Sequence, residues 1–340
     1  MKLATSQLFD AGDLILNSGT KLPAVQLAYE TWGELSADRS NAILMCHGYT
    51  NHQHTTGDKS GWWPNTVGPG CAVDTNKYFV VCVNMLGSAY GSTGPASTNP
   101  ATGVPYGPDF PETIIGDLIA AQITLLDHFG IDQLAAVIGF SYGGMLTFEW
   151  AHRHPDRMRA LVIVASGMRS WRTPQDIDNL RARFANCADW NDGHYYEHPA
   201  AVIDELKKIR LETLTRYGIG KYVEDTSGET AAPPILDDMA LAWARQFDAN
   251  ALIGLGHTTL TYDARPNVGK IKAPLLYVLS STDLLFGPEL AQPTMAMLKK
   301  AGVDASYFEI DSIYGHYAPS ADWQKWEAPL QAFLTQKVAK

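Results

Sequence analysis

The alternation of apolar runs with helix-like stretches limits the possible folds more than any other feature of the chain. Runs of strand length, rich in aliphatic residues, are separated by segments whose apolar residues recur every three or four positions. This alternation is typical of a mostly parallel β-sheet covered by helices on both faces, and it predicts an α/β fold. The predicted strands are an antiparallel one at 25–31, then 42–46, 78–83, 134–138, 161–165, 275–279 and 305–310. The predicted helices are 114–129, 145–151, 290–300 and 323–338.

Residues 168–267 interrupt this alternation, because they show helical patterns but no clear strand. We predict that they form a helical cap inserted between two strands of the sheet. A looser helical layer lying on the sheet is the alternative. The predicted domains are therefore an α/β core made of 1–167 and 268–340, and a cap made of 168–267.

Charge and composition disfavour several kinds of partner. The 340-residue chain has a formal net charge of −10 and no basic run, which argues against nucleic acid or an anionic membrane. No apolar run approaches the length of a membrane span, and residues 1–10 lack the apolar core of a signal peptide, so we expect a cytoplasmic protein. The four cysteines lack the spacing of a zinc site, and we expect neither a metal nor a cofactor.

The stretch Gly139-Phe-Ser-Tyr-Gly143 matches the pattern G-x-S-x-G. It lies between the predicted strand 134–138 and the predicted helix 145–151, where this pattern forms a sharp turn that exposes the serine. The two glycines allow the strand and the helix to approach closely, and the helix N-terminus favours negative charge developing beside the serine. We therefore predict an α/β-hydrolase fold with Ser141 as its nucleophile.

A serine hydroxyl needs a base to take its proton, and the base needs an acid to orient it. In this fold the order along the chain is serine, acid, histidine. Asp283 follows the strand 275–279 and His316 follows the strand 305–310, so both should lie at the same sheet edge as Ser141. We predict His316 as the general base and Asp283 as the acid. Asp311, on the same loop as His316, is the alternative acid.

The other histidines are less well placed, because none of them follows a late strand. His47 is expected to be structural, and His52 and His54 lack the neighbouring cysteine or carboxylate cluster of a metal site. Histidines at predicted helix ends, expected at the surface or at a helix cap, are His128, His152 and His154. Histidines that could line the cap are His194, His198 and His257.

Negative charge on the reacting carbonyl oxygen requires N–H donors, which together form an oxyanion hole. In this fold one donor is the backbone N–H of the residue after the nucleophile, and the second comes from the loop after an early strand. We predict the backbone N–H groups of Tyr142 and Tyr49.

Short matching stretches along the chain point to one branch of this fold. They are 27–33, 61–63, 68–70, 84–96, 99–103, 110–111, 141–145, 247–250 and 314–316. Through them the chain resembles the homoserine transacetylase branch of the α/β-hydrolases over nearly its whole length outside part of the cap. The stretch Tyr90-Gly-Ser-Thr-Gly-Pro95 looks specific to that branch. The resemblance implies a covalent acyl-serine intermediate, ping-pong chemistry, a cap of helix pairs and a homodimer formed through the cap.

The chain departs from that branch at positions close to the predicted site. An acidic residue usually follows the catalytic histidine and helps to hold the amino acid, but Tyr317 stands here. The branch usually has H-A-L-T-G in the oxyanion loop and G-G-S-M-G-G at the nucleophile, whereas this chain has His47-Gly-Tyr-Thr-Asn51, and Phe140 and Tyr142 flank Ser141. An amino acid acceptor needs charged partners in the site. We predict that these aromatic residues, with Phe140 and Tyr317 as pocket residues, suit a small neutral ester.

We therefore predict a serine carboxylesterase that cleaves short-chain, acetate-type esters through an acyl-serine intermediate, with water as the acyl acceptor. The alternative is a homoserine O-acetyltransferase, which moves acetyl from acetyl-CoA to an amino acid alcohol. That branch uses a cap arginine against the substrate carboxylate, for which Arg210, Arg216 and Arg245 are candidates; each could equally be solvated or ion-paired. A third alternative is a non-catalytic binding protein of the same fold, which the intact set of nucleophile, acid and base disfavours.

Overall fold

The computed structural model describes residues 6–58 and 60–338. Its strands are β1 (Gln7–Ile15), β2 (Lys21–Trp32), β3 (Ala42–Cys46), β4 (Val67–Gly68), β5 (Val73–Asp74), β6 (Phe79–Val83), β7 (Ala136–Phe140), β8 (Leu161–Val164), β9 (Leu275–Ser280) and β10 (Ala305–Ile310). Within these ranges an eight-stranded sheet has the order β1-β2-β6-β3-β7-β8-β9-β10. The pairs β1–β2 and β2–β6 are antiparallel, and the other neighbours are parallel.

Helices cover both faces of this sheet. They are α1 (Ile115–His128), α2 (Tyr142–Arg153), α3 (Pro174–Ala185), α4 (Ala200–Arg216), α5 (Ile219–Ser227), α6 (Ala232–Ala244), α7 (Ala249–Thr258), α8 (Ala291–Lys300), α9 (Ala318–Ala321) and α10 (Gln324–Val338). Within the described ranges, none of the helices combines the length and the apolar character needed to cross a bilayer.

The central strands are hydrophobic on both sides because helices bury both faces of the sheet. Every residue of β3 and of β6 is buried. Successive side chains of a strand point to opposite faces, and accordingly Leu44 packs into the cluster that includes residues of α1, α2 and α8. Ile43 and Met45 pack into the opposite cluster, which includes Trp326 and Leu330 of α10. The α/β architecture predicted from the alternation is thus confirmed.

Some elements differ from the prediction. β1 was not predicted, and it leaves most of its residues partly or fully exposed, since it is an edge strand with little apolar periodicity. The pair β4–β5 is only two residues long in each strand, which is too short for a periodic signal. Helix α2 begins at Tyr142 rather than at 145, directly after the serine.

Residues 168–267, all of which the structure describes, contain the five helices α3 to α7 and no strand. We call this segment the insertion. An isolated antiparallel bridge pairs Arg169 with Asp263, so the two ends of the insertion lie side by side. The insertion also has a hydrophobic cluster of its own, which includes Phe184, Leu206 and Trp243. Its role as a separate cap domain stays a prediction from the sequence.

Candidate active site

Ser141 joins β7 directly to α2 in a sharp turn. Its φ of 56° and ψ of −117° are values that residues other than glycine rarely adopt. Its N–H donates to the carbonyl of Val164 in β8 at 2.9 Å, and its carbonyl accepts from the N–H of Gly144 at 2.9 Å. These bonds, together with the helix that follows, hold the serine in this conformation at the N-terminus of α2.

Two glycines make this turn sterically possible. A Cβ atom on Gly139 would lie 2.1 Å from the carbonyl oxygen of Gly143, and one on Gly143 would lie 1.9 Å from the carbonyl oxygen of Cys46. Real Cβ atoms do not approach backbone oxygens so closely, and the backbone there has no space to retreat. The G-x-S-x-G pattern is therefore a packing requirement at the crossing of β3, β7 and α2.

His316 and Asp283 meet at the same edge of the sheet. His316 Nδ1 lies 2.7 Å from Asp283 Oδ2, and both side chains are almost completely buried. The other carboxylate oxygen, Oδ1, accepts from the N–H groups of Leu285 at 2.8 Å and Phe286 at 3.3 Å. The carboxylate is held on both oxygens, so it fixes the orientation of the imidazole ring.

Burial of Asp283 would by itself raise the pKa of its carboxyl group. The attraction and hydrogen bond of His316, with the two backbone N–H groups, lower it by more, so the pKa of Asp283 lies below its ordinary value. Asp283 is consequently a carboxylate at neutral pH, able to accept the Nδ1 proton of His316.

The alternative acid does not lie at this histidine. Asp311 is exposed, and its backbone carbonyl accepts from Nζ of Lys325 at 2.7 Å. The hydrogen-bonding partner of His316 is Asp283, as the order of motifs along the chain predicts.

The histidines near the oxyanion loop have other partners. His47 is buried; Met85 N–H donates to its Nε2 at 3.1 Å, and its Nδ1 donates to the carbonyl of Gly48 at 2.9 Å. Burial lowers the pKa of His47 to about 4, which keeps it neutral and structural. His54 lies 2.7 Å from Glu30 Oε2 and 3.1 Å from Asp58 Oδ1, so it is tied into an ion-paired network.

Ser141 and His316 line one cavity of about 760 Å³. The core contributes the oxyanion loop, Phe140 and Tyr317, and the insertion contributes side chains from α4, α5 and α6. Its lining includes Tyr49, Tyr90, Phe140, Ser141, Arg210, Tyr217, Tyr222, Trp243, His316 and Tyr317. The predicted pocket residues Phe140 and Tyr317 do line this cavity.

The insertion reaches the histidine directly. The ring centroids of Tyr217 and His316 lie 5.1 Å apart, and the Tyr217 carbonyl accepts from the N–H of Tyr317 at 2.8 Å. The next residue is Gly218, where a Cβ atom would lie 2.2 Å from the carbonyl oxygen of Tyr314. Phe140 packs on the same imidazole, with the two ring centroids 5.0 Å apart. The histidine ring is thus held among aromatic side chains of both regions.

Arg210, on α4, places its positively charged side chain in the lining of this cavity. Its guanidinium lies 5.3 Å from the ring centroid of Trp243, and Nη1 lies 3.4 Å from Thr50 Oγ1. Its Nε is buried without a hydrogen-bond partner, and no carboxylate in residues 6–58 and 60–338 forms an ion pair with it. Burial lowers the pKa of Arg210, but arginine starts so high that it stays charged. A half-buried cation without an anion is unfavourable, so this site favours a ligand that carries a negative charge.

The other two candidate arginines lie elsewhere. Arg216, at the end of α4, is exposed. Arg245 is exposed and borders a different cavity of about 370 Å³. Helical periodicity distinguishes Arg210 from these two, since it falls on the apolar face of α4 beside Leu206 and Ile209.

The two tyrosines of the predicted oxyanion hole differ in their side-chain positions. Tyr49 lines the cavity with part of its surface. Tyr142 is only 4% exposed, and its hydroxyl bonds to Thr258 of α7, away from the cavity. The expectation that the Tyr142 ring adds aromatic surface to the pocket is therefore wrong, because tertiary contacts with the insertion orient this ring. The same contacts leave its backbone N–H at the start of α2, beside Ser141.

Tyr317 stands where the resembled branch carries an acid. Its ring packs edge-on against Tyr222 at 5.2 Å, and burial raises the pKa of its phenol above the ordinary value. It is therefore neutral at physiological pH, and it supplies no charge to pair with an ammonium group.

Comparisons with known proteins agree with this geometry. Residues 41–319 match the family described as the alpha/beta hydrolase fold. A homoserine O-acetyltransferase of Geotalea daltonii is 37% identical over 96% of each chain. The crystal structure of esterase E22 is similar with a TM-score of 0.88 at 26% identity, over 98% of this chain and 100% of the other. A homoserine O-acetyltransferase from Bacillus anthracis has a TM-score of 0.87 at 27% identity over 100% of each chain. The chain therefore belongs to the α/β-hydrolase fold family, in the branch that contains the homoserine O-acetyltransferases.

Proposed function

We propose that this protein is an acyltransferase that carries an acetyl group on Ser141 and passes it to a hydroxyl group of an amino acid such as homoserine. The observation that carries the proposal is Arg210, a half-buried guanidinium in the cavity of Ser141 that forms no ion pair with a carboxylate among the residues that the structure describes. The relatives named homoserine O-acetyltransferase, at 35–37% identity, support the same reaction. This reverses the preference for hydrolysis that the aromatic pocket suggested.

The first half of the proposed reaction forms the acyl-serine. His316, with Nδ1 bonded to Asp283, takes the Ser141 proton on Nε2 while Oγ attacks the carbonyl of an acetyl thioester such as acetyl-CoA. The tetrahedral oxyanion accepts hydrogen bonds from the N–H groups of Tyr49 and Tyr142. The C–S bond then breaks, and the leaving thiolate takes the proton from His316.

The second half transfers the acyl group. The acceptor hydroxyl gives its proton to His316 and attacks the acyl-serine, and the Ser141 oxygen leaves with that proton. Arg210 holds the acceptor carboxylate through charge-assisted hydrogen bonds, which are stronger than neutral ones. With the carboxylate held there, the hydroxyl is positioned to compete with water for the acyl group.

Hydrolysis of short-chain esters is the second candidate function. Tyr317 favours it, because a neutral phenol at this position supplies no anion to pair with the ammonium group of an amino acid. The similarity to esterase E22 supports it as well. Both functions share an acyl-serine intermediate, and they differ in the acyl donor, a thioester or an ester, and in the acceptor.

A partition assay separates the two. The purified protein receives acetyl-CoA with homoserine, γ-hydroxybutyrate or aminopropanol, and mass spectrometry detects the O-acetyl product. Acyl transfer guided by Arg210 predicts products from homoserine and γ-hydroxybutyrate, which have a carboxylate, and little from aminopropanol, which lacks one. Rapid hydrolysis of para-nitrophenyl acetate, unaffected by any acceptor, with no turnover of acetyl-CoA, would favour the esterase. Ser141→Ala should be inactive in every arm.

Two expectations from the sequence belong to the proposal without a direct observation behind them. They are a homodimer formed through the insertion and a cytoplasmic location. Sedimentation of the wild-type protein over a range of concentrations tests the first.

A further inference from the structure

The two residues that carry the predicted oxyanion N–H groups also touch each other. The rings of Tyr49 and Tyr142 stack with centroids 5.7 Å apart and an interplanar angle of 19°. Tyr49 follows β3 and Tyr142 opens α2, so the stack bridges the two sides of the oxyanion hole. Both positions depart from the leucine and methionine usual in the resembled branch, and the two departures meet in one contact.

Both phenol groups bond to the same helix of the insertion. The Tyr49 hydroxyl donates to the carbonyl of Leu252, and the Tyr142 hydroxyl bonds to Thr258 Oγ1. Thr258 uses its own hydrogen to donate to the carbonyl of Leu255 at 2.8 Å, so Tyr142 is the donor to Thr258. Two bonds from the oxyanion residues therefore end on α7.

The surface of α7 fits this arrangement closely. A Cβ atom on Gly256 would lie 2.9 Å from the Tyr49 hydroxyl oxygen, so a larger residue there would force the phenol to shift. The guanidinium of Arg172, which precedes α3, lies 4.7 Å from the ring centroid of Tyr49. Burial raises the pKa of both phenols, which keeps them protonated as donors.

We infer that Tyr49 and Tyr142 are positioning residues, which fix the two oxyanion N–H groups by anchoring them to α7. The inference rests on the proposed acyl-serine chemistry, and it applies equally to transfer and to hydrolysis. We call the arrangement of Tyr49, Tyr142 and Thr258 the tyrosine clamp. Because its anchor lies in the insertion, the oxyanion hole has its active geometry only while α7 is seated on the core.

The test compares two variants that remove the same hydrogen bond of the clamp, one by changing its donor, Tyr142, and one by changing its acceptor, Thr258. Tyr142→Phe removes the donor and keeps the ring stack, and Thr258→Val removes the acceptor without touching either residue of the oxyanion hole. With para-nitrophenyl acetate, each should lower kcat about tenfold with KM changed less than about twofold, because displaced donors act on the transition state. The double variant should be no slower than either single one, since both remove the same bond.

A second readout distinguishes this role from general loss of stability. A trifluoromethyl ketone adds to Ser141 as a tetrahedral oxyanion, so its inhibition constant should rise by the same factor as kcat falls. Tyr277→Phe is the matched control, since it removes another buried phenol bond, to the carbonyl of Ser166 at 2.7 Å. It should leave kcat and the inhibition constant unchanged while costing a similar amount of thermal stability.

Two results would overturn the clamp. One is an unchanged kcat in both Tyr142→Phe and Thr258→Val; the other is a fall in kcat without weaker binding of the ketone. If Tyr142→Phe fails to fold, Thr258→Val and Tyr49→Phe decide by the same criteria. Activity retained by Ser141→Ala would instead contradict the acyl-serine chemistry itself, so the two failures are distinguishable.

Discussion

The core side and the insertion side of the cavity are built on different principles. On the core side, the backbone determines the geometry: Ser141 has a strained φ, and Gly139 and Gly143 have no space for a Cβ atom. On the insertion side, Arg210 and Trp243 reach the cavity as side chains on helices that could carry other residues. Backbone sterics tolerate few substitutions, whereas side chains projecting from a helix can be exchanged.

This difference separates the chemistry from the choice of acceptor. In the proposed reaction, the acyl-serine half-reaction depends on the core, with α7 supporting the oxyanion N–H groups. Selection of homoserine or water would depend on the side chains that α4 and α6 present to the cavity. The experiments below test this separation, from the largest expected effect to the smallest.

Asp283→Asn, on the core side of the cavity, should reduce activity more than any other substitution in these experiments. The amide removes the charge and presents the wrong partner to His316 Nδ1, so we expect kcat to fall by about 10⁴ for ester hydrolysis and for transfer alike. Steady-state kinetics with para-nitrophenyl acetate and with acetyl-CoA measure this. The control is Asp311→Asn, which should behave like the wild type because Asp311 is exposed. An equal loss in the control would contradict the assignment of the acid.

Arg210→Met should affect only the acceptor. We expect kcat/KM for homoserine to fall on the order of 100-fold, as for loss of a buried charge-assisted hydrogen bond, while hydrolysis of para-nitrophenyl acetate changes little. Arg216→Met, at the exposed end of the same helix, is the matched control. If both activities fall together, the separation between core and insertion does not hold.

Lowering the pH should decrease the free energy of unfolding, because His47 is buried in the core. The pKa of folded His47 is about 4, so between about pH 6.5 and pH 4 the unfolded chain takes up a proton at this residue that the folded chain does not. Stability is therefore present at neutral pH and decreases as the pH falls, by about 2 kcal/mol from pH 7 to pH 5 for this residue. Urea unfolding at both pH values measures it. His47→Gln should show a smaller dependence on pH, whereas the exposed His128→Gln should match the wild type.

Tyr317→Asp should shift the acceptor preference by the smallest amount, about 3- to 10-fold in the ratio of transfer to hydrolysis for homoserine. The new carboxylate would pair with the ammonium group, so γ-hydroxybutyrate, which lacks that group, should gain nothing. Tyr317→Phe serves as the control for loss of the phenol. An unchanged ratio for homoserine would contradict the role given to this position.

The core half could be predicted from the sequence because its signals are local. The G-x-S-x-G pattern reflects contacts within one strand-to-helix turn, and Asp283 and His316 follow strands whose carboxyl ends share one edge. Each assignment needed only the order of the strands. Accordingly, the structure brings Ser141 and His316 to one cavity and pairs Asp283 with His316.

The insertion half could not be predicted to the same extent, because it depends on how helices pack on the core. The place of Arg210 on the apolar face of α4 indicates only that its side chain points inward; the seating of α4 on the core decides that it reaches the cavity. The direction of the Tyr142 ring likewise depends on Thr258, 116 residues further along the chain. Such contacts are set by tertiary packing, which leaves only weak traces in local patterns.

The bridge between Arg169 and Asp263 holds the two ends of the insertion close together, so the chain enters and leaves the insertion at one place. The insertion lies between β8 and β9, and near its two ends the Ala264 N–H donates to the Met168 carbonyl at 2.8 Å. Everything between these points can lengthen, shorten or be replaced at small entropic cost while the strands on either side keep their register. Descendants of one ancestral hydrolase could thus acquire new acceptors by exchanging the insertion. Each new insertion would again have to contact and support the oxyanion loop.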